Sequence, residues 1–433
     1  EMCIRDRIRP FRALRYNLEQ AGSIQELTCP PYDIISEEQR QEYLSRNGCN
    51  IIRLELPKEG ENPYEEAVRT LRAWREEGIL QLDMDPGFYL YEEEFLSQVD
   101  HGEPKKVRGL VCLVRLEDFA NGVVLPHEET LSKAKEDRFQ LLSATRCNFS
   151  SIYSLYQDES HTTAQRLENL SRSCPPRYAF SDGLVTHRLW VINDPVAIEA
   201  LREDFAGRKL YIADGHHRYE TGLRYRDTLA RQGAYLPGSQ YILMTLTDMA
   251  DPGLTVFPTH RLVRGLESFD SAALLAACGE DFILEAKSSR EESQAALDSL
   301  FQQGRHAFAL YDGKSWTVLA LKDTAVMEKL LPEKSQAYRT LDVSILHSLV
   351  LEKLLGIDKE NMANQKNLTY TRSAEEAQAA VDRGESQCCF LLNPTRVEEI
   401  GQVAANGEKM PQKSTYFYPK LITGLAMNSL EEN

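Results

Sequence analysis

The sequence predicts a mixed α/β protein. Between His187 and Val263, apolar runs of strand length alternate with helix-period segments, the pattern of an α/β unit. Hydrophobic residues make up 42% and charged residues 27% of the 433, which is the composition of a packed globular chain long enough for two or three units. No apolar run approaches the ~20 residues that a membrane-spanning helix needs. The longest, around Leu341–Leu355, is interrupted by Asp342, His347, Glu352 and Lys353.

Taken in order, Glu1–Arg7 lacks periodicity and reads as a scar, so the chain proper is expected to begin near Ile8. Pro30-Pro31-Tyr32-Asp33 fixes an extended loop, and Asn50–Leu56 reads as a strand. Tyr64–Glu77 is an amphipathic helix with Tyr64, Ala67, Val68, Leu71 and Trp74 on one face and Gly78 as its stop. Strands are expected at Phe88–Phe95 and Gly109–Leu116, around a turn over Gln98–Lys106. A polar helix over Leu131–Leu142 precedes a strand at Ser151–Tyr156. Then follow strand His187–Ile192, helix Pro195–Asp204, strand Lys209–Ala213, helix His216–Gln232, and strands Gln240–Asp248 and Leu254–Val263. Beyond residue 265 the texture changes. Asp312-Gly313 signals a hairpin between Ala307–Tyr311 and Trp316–Leu321. Asp342 is positioned to cap a helix running to Gly356, Ser373 one ending at Gly384, and Thr395-x-x-Glu398 one reaching Ala405. Gln387–Leu392 reads as a strand. The expected division is an α/β domain over 8–265 and a smaller α/β domain over 266–433 that ends in a Lys/Ser/Thr loop.

The net charge of −16 argues against broad binding to nucleic acid or to an anionic membrane, both of which need basic surface. The nine cysteines form no C-x-x-C pair, so reduced, mostly buried thiols in a cytoplasmic protein are expected.

The densest chemistry lies in Ile212-Ala213-Asp214-Gly215-His216-His217-Arg218. A strand ends, a glycine turns and a helix begins. Amides at a helix start point outward, and the macrodipole favours a negative guest. Adding Arg218 and two imidazoles gives an anion site, best suited to phosphate. A rival reading uses Asp214, His216, His217 and His260 as metal ligands; H-E-x-x-H is absent. Three further groups are candidates. They are Pro126-His127-Glu128, with Lys133, Lys135, Asp137 and Arg138 following; Pro258-Thr259-His260-Arg261 at a strand end; and Gln412-Lys413-Ser414-Thr415 with Lys420, which lacks the glycines of a Walker A loop. His347, beside Leu346 and Val350, reads as a core histidine. No G-x-G-x-x-G, G-x-S-x-G or kinase H-R-D motif is present, which speaks against dinucleotide reductases, α/β-hydrolases and protein kinases.

Read in order, Pro10-Phe11-Arg12-Ala13, Pro30-Pro31-Tyr32-Asp33, Pro126-His127-Glu128, Asp214-Gly215-His216-His217-Arg218-Tyr219-Glu220, Pro258-Thr259-His260-Arg261 and Met410-Pro411-Gln412-Lys413-Ser414-Thr415 resemble the domain-of-unknown-function 1015 family. More distantly, Gly215-His216-His217-Arg218 is similar to the G-x-x-R motif of the ParB-like fold, which includes partition proteins, sulfiredoxins and free-serine kinases. That resemblance implies a ParB-like strand–turn–helix core, with additional α/β elements at both ends, that holds nucleotide phosphates.

The expected activity is phosphoryl transfer or phosphate-ester chemistry on a small metabolite, with serine or phosphoserine as the substrate the resemblance suggests. Asp214, Gly215, His216 and Arg218 would hold phosphate, with His260, Arg261, Lys413, Ser414 and Thr415 around the transferring group. His127, Glu128 or His217 would handle the proton, and Mg²⁺ would accompany a nucleotide donor. A non-catalytic nucleotide-binding regulator and a metal-dependent hydrolase are the alternatives.

Overall fold

The computed structural model describes residues 6–97, 102–130 and 132–433, so Glu1–Arg5, the first four residues of the expected Gln98–Lys106 turn, and Leu131 lie outside it. The fold is mixed α/β, and it forms two compact units. The first takes in the chain up to Pro126, Thr130–Thr255 and Pro419–Asn433, and the second takes in His127–Glu129 and Val256–Tyr418. The sequence suggested one crossing near residue 265; the units divide at Thr255, and the chain re-enters the first unit at Pro419.

The first unit is built on a nine-stranded sheet. Its strands are β1 (Ile8–Arg9), β2 (Phe88–Leu96), β3 (Pro104–Arg115), β4 (Val124–Leu125), β5 (Ile152–Tyr156), β6 (Tyr178–Ser181), β7 (Val185–Ile192), β8 (Leu210–Asp214) and β9 (Tyr241–Asp248). Their order is β4-β8-β5-β9-β3-β2-β7-β6, with β1 pairing on β3. Only the β8–β4 and β9–β5 pairings among these are parallel. Leu110, Cys112, Ile152, Ile212 and Met244 form one core with Leu201 and Phe205 of α1 (Pro195–Phe205) and Tyr219 of α2 (His216–Arg231). Asp194 caps α1 by accepting from the Ala197 amide. The helix expected at Tyr64–Glu77 is observed at Pro63–Glu76, with Ala67 and Trp74 buried and Gly78 in the left-handed region at φ +73°.

Two expectations in this part of the chain fail for local reasons. Asn50–Leu56 is not a strand but encloses a helical turn at Ile52–Glu55. The wholly buried Asn50 accepts from the Ile52 amide at 2.9 Å and donates to the carbonyls of Glu26 and Thr28. Its side chain thus competes with strand pairing for the backbone. The strand expected at Leu254–Val263 is broken between Val256 and His260, where Pro258 has no N–H to give a ladder. Arg7, set aside as outside the fold, accepts from the Arg115 amide and donates to the Arg208 carbonyl.

Gly253 lies against the backbone of β3, where a Cβ would stand 2.2 Å from the Lys106 carbonyl oxygen. Gly253→Ala is therefore expected to cost roughly 1–3 kcal/mol, read as a lower urea midpoint at unchanged slope.

The second unit carries a six-stranded sheet. Its strands are β10 (His260–Val263), β11 (Phe282–Lys287), β12 (Ala307–Tyr311), β13 (Trp316–Leu321), β14 (Leu368–Thr371) and β15 (Cys388–Leu392), in the order β11-β13-β12-β15-β10-β14 with antiparallel neighbours. The β12–β13 hairpin forms as expected. Asp312 Oδ1 accepts from the Lys314 and Ser315 amides, and Gly313 takes φ +85°. Two caps differ from expectation. Asp342 sits inside its helix, and its carboxylate pairs with His306 Nδ1 at 2.7 Å instead of with a helix amide. Thr395 donates to the Ser414 carbonyl, so the next helix, Val397–Ala405, begins one residue later, with Glu399 accepting from the Arg396 amide. The Asp342 helix continues as a wide π-helical turn, His347–Glu352.

The eight described cysteines are free thiols; most are buried and Cys174 is exposed. Among the described residues no helix is long and apolar enough to cross a membrane.

Candidate functional site

The Asp214 turn lies at the end of β8. The β8–β5 register slips between Ile212 and Asp214; such an irregularity re-aims the side chain that follows it. Gly215 then takes φ +98° and ψ 25°, a conformation that a side chain would strain. A Cβ there would also stand 3.0 Å from the Arg218 guanidinium, so glycine is what lets Arg218 fold back over the turn. As N-cap of α2, Gly215 supplies no capping side chain.

Three charged groups meet at this turn. Lys420 Nζ lies 3.2 Å from Asp214 Oδ1, and Arg218 donates to Asp214 Oδ2 at 3.4 Å and to the Ser151 carbonyl at 2.6 Å. Burial would raise the Asp214 carboxyl, but Lys420, Arg218 and His216 outweigh it and hold the group at about 2. One carboxylate thus faces two permanent cations, of which Arg218 also acts on the buried Glu55. His216 is buried and His217 half-buried.

Behind Arg218 is a second buried network. A small cavity of about 40 Å³ is lined by Arg218, Glu55, Arg138, Ser150 and Thr221. Arg138 donates to the Glu55 carbonyl at 2.8 Å, lies 3.8 Å from its carboxylate and stacks 3.9 Å over the Tyr32 ring. Ser150 donates to the Glu55 carboxylate. Burial pushes the Glu55 carboxyl up, while Arg138 and Arg218 pull it back. Glu55 and Tyr32 were not among the expected site residues. The Pro30-Pro31-Tyr32-Asp33 motif was the available signal for Tyr32; Glu55 was hidden in a stretch read as strand. Glu220 accepts from Thr130 and Lys135, a structural pairing.

The other expected residues belong to the second unit. His127 is fully buried, with Nε2 2.9 Å from Thr415 Oγ1. Glu128 accepts from the Lys413 amide at 3.1 Å, and Lys413 is left-handed at φ +56°, an uncommon conformation for a side chain of this size. Ser414 Oγ donates to the Pro411 carbonyl. His127, Glu128, Lys413, Ser414 and Thr415 therefore form one cluster. His260 was expected to neutralise charge, but it does not. Its Nδ1 accepts from the Leu392 amide, and burial, with Arg261 adding to it, lowers the ring to about 4, so the imidazole is neutral. Arg261 is fully buried; it donates to the Thr259 and Gln412 carbonyls and to Nε2 of His347. His347 is buried, as expected, with this guanidinium as a partner. Among the described residues no group of three or more His, Cys, Asp or Glu is placed to hold a metal.

A mixed α/β fold with a charged strand–turn–helix defines the general class. The chain belongs to the family described as protein of unknown function DUF1015, whose model matches residues 8–344. Curated proteins give no significant match. Solved structures similar to this chain include a conserved hypothetical protein from Pyrococcus furiosus, at 15% identity and TM-score 0.36 over 74% of this chain and 96% of that one. A free serine kinase in complex with AMP is similar at 15% identity and TM-score 0.37, over 75% and 93%. SbnI with C-terminal truncation from Staphylococcus aureus is similar at 12% identity and TM-score 0.36, over 75% and 90%.

Proposed function

We propose that the protein binds the phosphate of a small metabolite or nucleotide at the Asp214–Arg218 turn and transfers or hydrolyses a phosphoryl group there. The observation that carries this reading is the charge arrangement at the start of α2, where Arg218 and Lys420 both face Asp214 beside a helix N-terminus. Fixed cations of this kind stabilise charge spread over phosphoryl oxygens without having to reorganise. His216 adds to the positive field on Asp214, and His217, next along the helix, handles the proton. Both Asp214 oxygens face cations, so recognition at this turn rests on cations and amides and not on a carboxylate-held metal.

The test is titration of the whole protein with ATP, ADP, pyrophosphate and inorganic phosphate. Turnover is assayed with each donor plus serine, and with phosphoserine alone. Lys420→Ala and Arg218→Ala are each expected to weaken phosphate binding by roughly tenfold or more, the worth of one charge-assisted contact. Binding without turnover would make the protein a nucleotide-responsive regulator. Neither binding nor turnover with any phosphate compound would overturn the proposal.

A further inference from the structure

The second unit holds a cavity of about 190 Å³ that the phosphate reading does not use. One wall is the π-helical turn, which contributes His347, Ser348 and Glu352. In a regular α-helix, residues five apart point roughly 140° away from each other. The wider turn brings His347 and Glu352 to one surface, and π-turns of this kind recur at functional sites.

Cations outnumber carboxylates among the lining residues. Lys334, Lys359 and Lys409 line it, against Glu129 and Glu352. Arg261 stands directly behind the wall, hydrogen-bonded to His347 and Gln412 and 5.2 Å from the ring centroid of Tyr370, all three of which are lining residues. Its hydrogen-bond partners are two carbonyls and an imidazole, and the carboxylate that acts on this fully buried guanidinium, Glu128, is not among them. Tyr370 carries a buried hydroxyl with no hydrogen-bond partner among the described residues, the kind of orphan that calls for an explanation. Leu331, Met362, Ala363, Met410 and Pro411 supply an apolar side.

We infer that this cavity binds a small organic anion, with its anionic head toward the His347, Tyr370 and Arg261 wall and a short apolar body against Met362 and Met410. The volume is below that of sites for drug-sized ligands, which run from ~300 Å³ upward, so a compact metabolite is the fit. His347 meets the head as a neutral donor. Burial, with Arg261 beside it, lowers the imidazole well below its usual range, and Nε2 accepts from Arg261, which leaves the proton on Nδ1.

The test is calorimetric titration of the full chain with succinate, glutarate and 2-phosphoglycolate. At least one is expected to bind saturably, with Kd below about 1 mM. Ala363→Trp, at a half-buried lining position, should fill the cavity and abolish that binding, and Lys359→Glu should weaken it about tenfold or more. Arg218→Ala should leave it unchanged. Inorganic phosphate binding at the Asp214 turn should respond in the opposite way, surviving Ala363→Trp and weakening in Arg218→Ala, so failure of either site is told apart from failure of the other. Circular dichroism establishes that each variant is folded. The proposal is overturned if none of the three anions binds, or if Ala363→Trp binds them as the unaltered chain does.

Discussion

Replacing Arg138 by alanine is expected to destabilise the first unit by about 3–5 kcal/mol, the usual cost of leaving one partner of a buried ion pair uncompensated. Arg138 and Glu55 are both almost wholly buried, with side-chain exposures of 4% and 2%. Removal of the guanidinium takes away three interactions: the ion pair with the Glu55 carboxylate, the hydrogen bond to the Glu55 carbonyl and the stack on Tyr32. Its other ion pair, to the more exposed Asp137, contributes little. Glu55 would keep the Ser150 hydroxyl and the more distant field of Arg218. Arg138→Lys should recover part of the loss, because the charge returns while the fork and the stack do not. Arg138→Met with Glu55→Gln should recover most of it by removing the stranded charge. The readout is the urea midpoint with a matched slope. A loss under about 1 kcal/mol for Arg138→Ala would show that the pair is not the brace argued here. Phosphate binding should fall in the same variant, since Arg138, Glu55 and Arg218 line one small cavity.

What the sequence made legible was local. The Pro63–Glu76 helix declares itself through one apolar stripe and a glycine stop, and the β12–β13 hairpin through Asp312-Gly313. The Asp214 turn was readable for the same reason, because strand, glycine and helix are contiguous. Asn50–Leu56 misled because Ile51 and Ile52 are β-branched, while the deciding contacts come from Asn50 to carbonyls more than twenty residues away. Thr395 misled because its hydroxyl serves Ser414, nineteen residues on, and not its own helix. The site's rear wall was invisible on the same principle. Arg138 and Glu55 are 83 residues apart, and no periodicity links them. Return of the chain to the first unit at Pro419 carries no composition signal, yet it delivers Lys420 to Asp214. His260 shows the converse limit. Its residue type suggested charge, and only its burial reveals a neutral acceptor.

Stability of the first unit is expected to fall as pH rises from about 4.5 to about 8, and Glu93 is the cause. Alternation along β2 places Glu92 and Glu93 on opposite faces of the sheet. Both are nearly inaccessible, but their surroundings differ. Glu92 meets Arg108 at 2.7 Å and Arg188 at 2.9 Å. Glu93 faces Tyr91, whose hydroxyl is 3.0 Å from its Oε1 and 2.7 Å from Nδ1 of His187, and His187 Nε2 stands 3.3 Å from Asp182. Burial pushes the Glu93 carboxyl up to about 8, with the Tyr91 hydrogen bond pulling the other way. Tyr91 donates to Glu93 Oε1, which accepts whether the carboxyl is ionised or protonated, so protonation removes the buried charge without breaking this bond. The folded-state value lies above the unfolded one, so the stabilisation is fully present below about 4.5 and is lost as pH climbs through about 8. At ~1.4 kcal/mol per unit the full loss is on the order of 5 kcal/mol. Glu93→Gln keeps the shape and an acceptor for Tyr91 but has no proton to lose. Urea unfolding at intervals from pH 5 to pH 9 should therefore show the variant gaining steadily on the unaltered chain, and taking the difference cancels every other titrating group. Parallel profiles would mean that Glu93 is already ionised in the fold.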